Sequence, residues 1–372
     1  MIVHIISSLK VGGTEMMLKK LVLARREVDL KDIVICLGSE GTIGRQLECN
    51  GVQVYYLEIK STCCFFKGIK KLYRLLKIYK PKVVQTWLYH SDFIGGIIAK
   101  ITGAKVVWNI RQTRFTSYQS FPTIVIMRIC TLLSYFLPDV IVCAANASKV
   151  SHLKYGYSRK KIIVIPNGFE SAKTLAYADI NILRHKFSVN ENEVIVGTVG
   201  RFHPDKDYLT FIKACKIVSL EFPFVKFMMV GRNLDQNNPI LLDWIKSFHL
   251  EKRFILVGES NEVNSFLSIF DVFCLSSISE GFPNVVGEAM LKGIACVVTN
   301  SGDSALIVGN TGCVAKISDP DSLASSIIKL LSLSIEERGG LGEAAKQRVK
   351  QNFMLENSVA KYSELYFNLS KS

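Results

Sequence analysis

Short runs that are apolar at consecutive positions, rich in Val and Ile, alternate with helix-patterned stretches from one end of this chain to the other. In the first half the runs fall at 2–6, 33–37, 52–57, 83–86, 105–108, 140–143 and 162–165, with helical patterns such as 15–26 and 68–79 between them. The second half repeats the rhythm at 194–199, 225–230, 254–257, 272–275 and 295–299. A strand with one wet face alternates apolar and polar residues, so a strand that is apolar at successive positions is covered on both faces. Such strands, separated by helices, build parallel sheets. The expectation is an α/β protein made of two Rossmann-like parallel-sheet units.

At 372 residues the chain is long enough for two domains, and 49% hydrophobic against 21% charged residues supply ample core. The break is expected between 168 and 193, where Pro166-Asn167-Gly168 ends a strand with turn chemistry and a polar stretch, 188–193, precedes the next strand. This places one domain over 1–175 and the other over 190–352, with a final helix in 355–372 packing back on the first.

Charge separates the halves further. Residues 1–178 hold 26 Lys and Arg against 10 Asp and Glu, whereas the rest hold 20 against 22, so the net charge of +14 belongs to the first half. Ten cysteines without a CxxC pair, many inside apolar runs, read as buried free thiols of a reducing compartment. The opening Met1-Ile-Val-His-Ile-Ile is too short for a signal core, and the greasiest segment, 121–137, carries Arg128 and reads as a buried helix packed on a sheet. A cytoplasmic protein is expected.

Ligands of open parallel sheets bind beyond the carboxyl ends of the strands. Four segments at such ends have unusual composition. After the first strand, Ser7 to Glu15 contains Gly12-Gly13, which lets a phosphate approach backbone N–H groups; a ligand-free turn would look the same. After 194–199, Gly200 to Asp207 carries Arg201 and Lys206, a guanidinium and an ammonium suited to a diphosphate, or else two solvated side chains. After 272–275 comes Glu280-Gly281-Phe282-Pro283-Asn284-Val285-Val286-Gly287-Glu288, where two carboxylates on a loop and the following helix can hold different parts of one ligand. A cap and a solvated helix residue are the plain alternative, which leaves the Gly-Phe-Pro-Asn run unexplained. Finally, Trp87 to Asp92 with His90, and Asn109 to Thr113 with Arg111 and Gln112, mix aromatic and hydrogen-bonding groups suited to a sugar. No dinucleotide fingerprint, metal-ligand spacing or nucleophilic triad is visible.

With Glu280 and Glu288 flanking seven residues, the chain resembles the family 4 glycosyltransferases, retaining enzymes of GT-B architecture with an E-x7-E motif. Further matches follow in order: Val11 to Glu15, Ile165 to Gly168, Gly197 to Arg201 and on to Lys206, Val230-Gly231, Val257-Gly258, and Gly281 to Gly293. The resemblance implies two Rossmann-like domains facing across a cleft. It implies that Arg201 and Lys206 neutralise the donor's diphosphate, that Glu288 holds ribose hydroxyls, and that Glu280, with amides around Phe282 and Asn284, positions the transferred sugar. Val257 and Gly258 would line the base pocket, Gly12 and Gly13 would lie near the phosphates, and Gly281, Pro283 and Val285 would complete the donor loop. Many members carry a histidine after the strand matched by 106–109; here Asn109-Ile110-Arg111-Gln112-Thr113 stands in its place, so Gln112, Arg111 or His90 takes that contact.

The activity implied is transfer of a sugar from a nucleotide-diphosphate donor, of UDP type, to a glycan or lipid-linked acceptor, as in bacterial surface polysaccharide or lipopolysaccharide assembly. A nucleotide-sugar epimerase and a non-catalytic glycan- or nucleotide-sugar-binding protein are the rival readings. No metal or other cofactor and no nucleic-acid partner are expected. The basic stretch 67–80, with Ile69, Leu72, Tyr73, Leu76 and Tyr79 on one side and lysines on the other, reads as an amphipathic helix for an anionic membrane, so a peripheral place at the inner face of the plasma membrane is expected. As a helix on a sheet it would bury the same side.

Overall fold

The computed structural model describes residues 1–28, 30–59, 62–113, 121–170 and 177–371, with the side chains of 62, 63, 177 and 178 left aside. The chain forms two compact units, Met1–Gly168 with Leu355–Ser372, and Phe169–Met354. The expected boundary at residue 175 lies outside the described residues.

The first unit holds seven strands, β1 (Ile2–Ile6), β2 (Asp32–Cys36), β3 (Gln53–Tyr56), β4 (Val83–Trp87), β5 (Lys105–Ile110), β6 (Val140–Cys143) and β7 (Ile162–Val164). They pair in parallel in the order β3-β2-β1-β4-β5-β6-β7. The second unit holds β8 (Val194–Val199), β9 (Val225–Val230), β10 (Phe254–Gly258), β11 (Val272–Leu275), β12 (Ala295–Thr299) and β13 (Gly312–Ala315). These are also parallel, in the order β10-β9-β8-β11-β12-β13. In each sheet the winding reverses once, between β1 and β4 in the first and between β8 and β11 in the second. At such a reversal the flanking loops part and leave a crevice at the carboxyl ends of the strands.

The apolar runs behave as their composition requires: β1, β2, β4, β11 and β12 are buried at every position. The sheet of the first unit is covered on both sides, one core gathering Leu72, Leu76, Trp108 and Met127 and the other Leu18, Leu21, Trp87 and Tyr362. The last helix, Leu355–Lys371, belongs to this second core through buried Tyr362 and Tyr366. Polar contacts fix its register: Asn109 donates to the Tyr362 hydroxyl at 2.8 Å, and Arg25 donates to Ser363 Oγ at 2.8 Å while holding buried Asp32.

Two helices differ from expectation. In Thr62–Tyr79 the inward residues are Leu72, Leu75 and Leu76, while Tyr73 is exposed. Its apolar stripe therefore covers the sheet, and what remains outward is Lys67, Lys70, Lys71, Arg74 and Lys77. The greasy segment forms the helix Phe121–Leu133, expected to be buried, yet only Met127 and Cys130 are. Phe121, Val125, Ile129 and Leu132 form an exposed ridge at helical spacing, continued by Phe136. The ridge arises because the sheet needs one apolar face and this sequence is apolar nearly all round. Among the described residues no helix is long and apolar enough to cross a membrane.

Candidate active site at the carboxyl edge of the second sheet

β8 and β11 flank the reversal in the second sheet, and the loops that leave them carry most of the candidate residues. The loop after β8 turns through Pro204–Lys206, capped by His203, and Asp207 then caps the helix Tyr208–Glu221 by accepting from Thr210 N. The loop after β11 runs to Pro283, where the helix Asn284–Leu291 begins. Two bonds stitch the loops together, Ser276 Oγ donating to Lys206 O at 2.7 Å and Ile278 N to Asp205 O at 2.8 Å, and Thr299 Oγ1 on β12 steadies the second loop by donating to Ser277 O.

The charged centre is the Lys206–Glu280 pair. Lys206 Nζ donates to Glu280 Oε1 at 2.7 Å, and Ser277 Oγ donates to the same oxygen at 2.6 Å. The two side chains keep 21% and 13% of their exposure, so the pair is well shielded yet reachable. Gly200 permits the approach: a Cβ there would stand 2.7 Å from the Tyr208 hydroxyl and 3.3 Å from Lys206 Cε. Gly302, at φ +58°, backs the other loop, and a Cβ there would meet the carbonyls of Glu280 and Gly281 at 2.5 and 2.6 Å. Asp303 N donates to Gly281 O at 2.9 Å, which fixes the same peptide from the β12 side.

Around this pair the remaining candidates take distinct places. Arg201 follows β8 directly; its side chain is exposed and makes no hydrogen bond or ion pair among the described residues. Glu288 is half-buried in the second turn of the helix Asn284–Leu291. Phe282 is buried, with its ring stacked on Phe169 at 5.6 Å and against Phe353 at 5.8 Å, so that residue offers a ligand its backbone only. Pro283 is buried, Gly281 and Val285 half-buried and Asn284 exposed where the helix N–H groups open. Val257 and Gly258 end β10, two strands from β8, and Gly258 N bonds Leu234 O at 3.0 Å.

Two groups here were not among the sequence candidates, and only one of them had a signal to offer. Tyr208 has a buried hydroxyl without a hydrogen-bond partner, and burial together with the Glu280 charge pushes its pKa well up. Ser277, by contrast, sits where a small polar residue immediately past a strand could have drawn notice.

The other candidates belong to the first unit, at the carboxyl ends of β1, β4 and β5. Gly12 caps the helix Gly13–Glu27 beyond β1. Burial of the Glu15 side chain over that turn raises its pKa. His90 is the second residue of the helix Tyr89–Ile101 beyond β4 and is half-buried, which lowers its pKa and favours the neutral ring. Leu88, the cap before it, has φ 69° and ψ 157°, a region that residues with a side chain rarely occupy. Arg111 and Gln112 leave β5, with Gln112 exposed and its carbonyl accepting from Ser148 Oγ at 2.7 Å. The candidates thus form two sets, one on each unit. Among the described residues no group of three His, Cys, Asp or Glu side chains could hold a metal ion.

Comparison with known proteins adds a family to this geometry. Residues 11–173 match the description Glycosyltransferase Family 4, and residues 179–348 match Glycosyl transferases group 1. The Escherichia coli UDP-Gal:alpha-D-GlcNAc-diphosphoundecaprenol alpha-1,3-galactosyltransferase is 26% identical over 310 residues, which is 82% of this chain and 79% of that protein. The Staphylococcus aureus capsular polysaccharide biosynthesis glycosyltransferase CapM is 24% identical over 311 residues, 80% of each chain. Among solved structures, Anabaena Alr3699/HepE in complex with UDP superposes with a TM-score of 0.87 at 19% identity, covering 99% of both chains. With one matched domain on each parallel-sheet unit, the chain is a glycosyltransferase of GT-B type.

Proposed function

We propose that this protein is a retaining glycosyltransferase that moves a sugar from a UDP-type nucleotide donor to a glycan or lipid-linked acceptor in the assembly of a bacterial surface polysaccharide. The observation that carries the donor site is the Lys206–Glu280 pair at the β8/β11 reversal, with exposed Arg201 on the same loop as Lys206 and the helix Asn284–Leu291 starting four residues after Glu280. Lys206, Arg201 and the helix amides offer positive charge where a diphosphate leaving group gains negative charge. Glu288 accepts from ribose hydroxyls, and Glu280 accepts from a hydroxyl of the sugar. In the transfer, the bond from the anomeric carbon to the diphosphate breaks while the acceptor oxygen bonds to the same face. The acceptor's proton passes to the departing phosphate oxygen, so no protein base is needed. The relative that takes UDP-Gal and a diphosphoundecaprenol acceptor supports the donor base and the acceptor class.

The same relative's lipid-linked substrate favours a membrane-surface enzyme. On one side of the first sheet, the helices Thr62–Tyr79 and Phe121–Leu133, which carry the outward lysines and the exposed ridge, both pack against the helix Tyr89–Ile101. Basic side chains for anionic headgroups beside apolar ones for the acyl boundary suit such a surface. The donor reading is tested by thermal shift with UDP-, GDP- and dTDP-sugars. A UDP-sugar is expected to raise the melting temperature of the wild type and not of Glu288→Ala. Stabilisation of both proteins alike would remove Glu288 from the site, and stabilisation by no nucleotide sugar would remove the donor reading.

A further inference from the structure

The first unit holds a buried cation that no described group neutralises. Arg111 is the first residue beyond β5, and its guanidinium carbon lies 5.2 Å from the centre of the buried Trp87 ring. Both terminal nitrogens, Nη1 and Nη2, are buried and have no hydrogen-bond partner. The titratable groups that bear on it, Tyr362, Tyr366 and Cys143, are neutral at pH 7, and burial depresses its proton affinity. A buried guanidinium without a counter-charge destabilises a fold, and a ligand anion would relieve it. Two residues to either side, Asn109 Oδ1 and Thr113 Oγ1 are also buried without partners.

The location is as specific as the chemistry. β4 lies between β1 and β5, and its last residue, Trp87, is in register with Ile6 of β1 and Asn109 of β5. By lying over Trp87, Arg111 reaches from β5 toward the β1/β4 reversal, where a doubly wound sheet receives its ligand. Cation–π attraction to the indole holds the guanidinium without using its N–H donors, which stay available to pair with two oxygens of one anion.

We propose that Arg111, held on Trp87, is the phosphate-binding residue of the first unit and takes the diphosphate of a lipid-linked acceptor through Nη1 and Nη2. This rests on the acceptor class proposed above and adds the group that recognises it. A diphosphate could also come from the donor; the donor's is given to Lys206 and Arg201 of the second unit, so the acceptor's is assigned here.

Calorimetry with two probes separates the sources: UDP alone, and decyl diphosphate added with UDP saturating, with decyl glucoside as the phosphate-free control. Wild type is expected to bind decyl diphosphate in the presence of UDP and to prefer it to the glucoside. Arg111→Gln is expected to lose about tenfold or more of that affinity, while UDP binds as in the wild type. Arg111→Lys keeps the charge but not the fork, so it serves if Arg111→Gln fails to fold, and it too should weaken the diphosphate alone. Weaker UDP binding with decyl diphosphate unchanged would give Arg111 to the donor and overturn the assignment. No change with either probe would make it a structural cation on Trp87. If UDP failed to bind the wild type, the donor reading would fall, and the decyl diphosphate comparison run without UDP would still test Arg111.

Discussion

Replacing Lys206 by Ala separates a catalytic cation from a structural one. The ammonium lies 2.7 Å from Glu280 and both side chains are largely shielded, at 21% and 13% exposure. Its loss from the fold falls between an exposed pair and a buried one, about 1–2 kcal/mol, because Ser277 still donates to Glu280. For a domain of this size each kcal/mol lowers the melting temperature by about 2–4 °C, so the variant stays folded at assay temperature. The catalytic loss is larger. A preorganised donor to developing charge is worth about 2.7–4 kcal/mol, or roughly 10²–10³ in kcat. The leaving diphosphate carries most charge in the transition state, so kcat should fall much more than donor affinity. Release of UDP from a UDP-sugar with saturating acceptor, measured beside circular dichroism and calorimetry of UDP binding, reads all three quantities. Folded Lys206→Ala with kcat within threefold of wild type, or a loss confined to KM, would refute the role given to this ammonium.

Glu288→Ala should weaken UDP-sugar binding about 10–100-fold by calorimetry, with a melting temperature close to wild type, since the residue is half-buried. Transfer should persist in excess EDTA, because Lys206, Arg201 and the helix N-terminus supply the countercharge; complete loss restored by magnesium would contradict that. His152 is held near pKa 4, below the ordinary 6.5, by burial, with Nδ1 on Ser148 O and Nε2 on the Tyr89 hydroxyl. Its unfolded form takes the proton first, so its contribution is complete above about 6.5 and is lost as pH falls toward 4, about 3 kcal/mol in all. Denaturant titrations of wild type and His152→Gln across that window should converge toward acid pH. The protein should sediment with anionic vesicles at low salt and release as salt rises. Leu132→Ser with Phe136→Ser should weaken that binding, as should reversing Lys70, Arg74 and Lys77, and neither change should alter UDP affinity.

Fold class was legible because a strand buried on both faces carries apolar residues at consecutive positions, as in Ile33–Cys36 of β2, Val272–Leu275 of β11 and Ala295–Val298 of β12. The strand β13 escaped notice: it is four residues at a sheet edge, half-exposed, and its Gly-Cys-Val-Ala lacks the pattern. Periodicity found the inward side of Thr62–Tyr79 but misplaced Tyr73, which fits the stripe by spacing yet points outward beside the lysines. In Phe121–Leu133 nearly every position is apolar, so no pattern told the buried face from the exposed ridge. Loops at strand ends pointed to Arg201, Lys206, Glu280 and Glu288 one by one. The contact between Lys206 and Glu280 joins residues 74 apart and depends on strand order, which spacing does not disclose. The same holds for Arg111, whose interest lies in being buried on Trp87 without a counter-charge.

The anomeric configuration of the product tests the account most directly. Purified protein would be given a UDP-α-sugar and a soluble diphospholipid-linked acceptor, and the one-bond C1–H1 coupling of the new linkage read by NMR. Attack from the face the diphosphate leaves should yield an α-linkage, at a rate that falls roughly 10²–10³-fold in Lys206→Ala. A β-linkage would contradict the front-face mechanism, and an α-product formed equally fast by the variant would contradict the site.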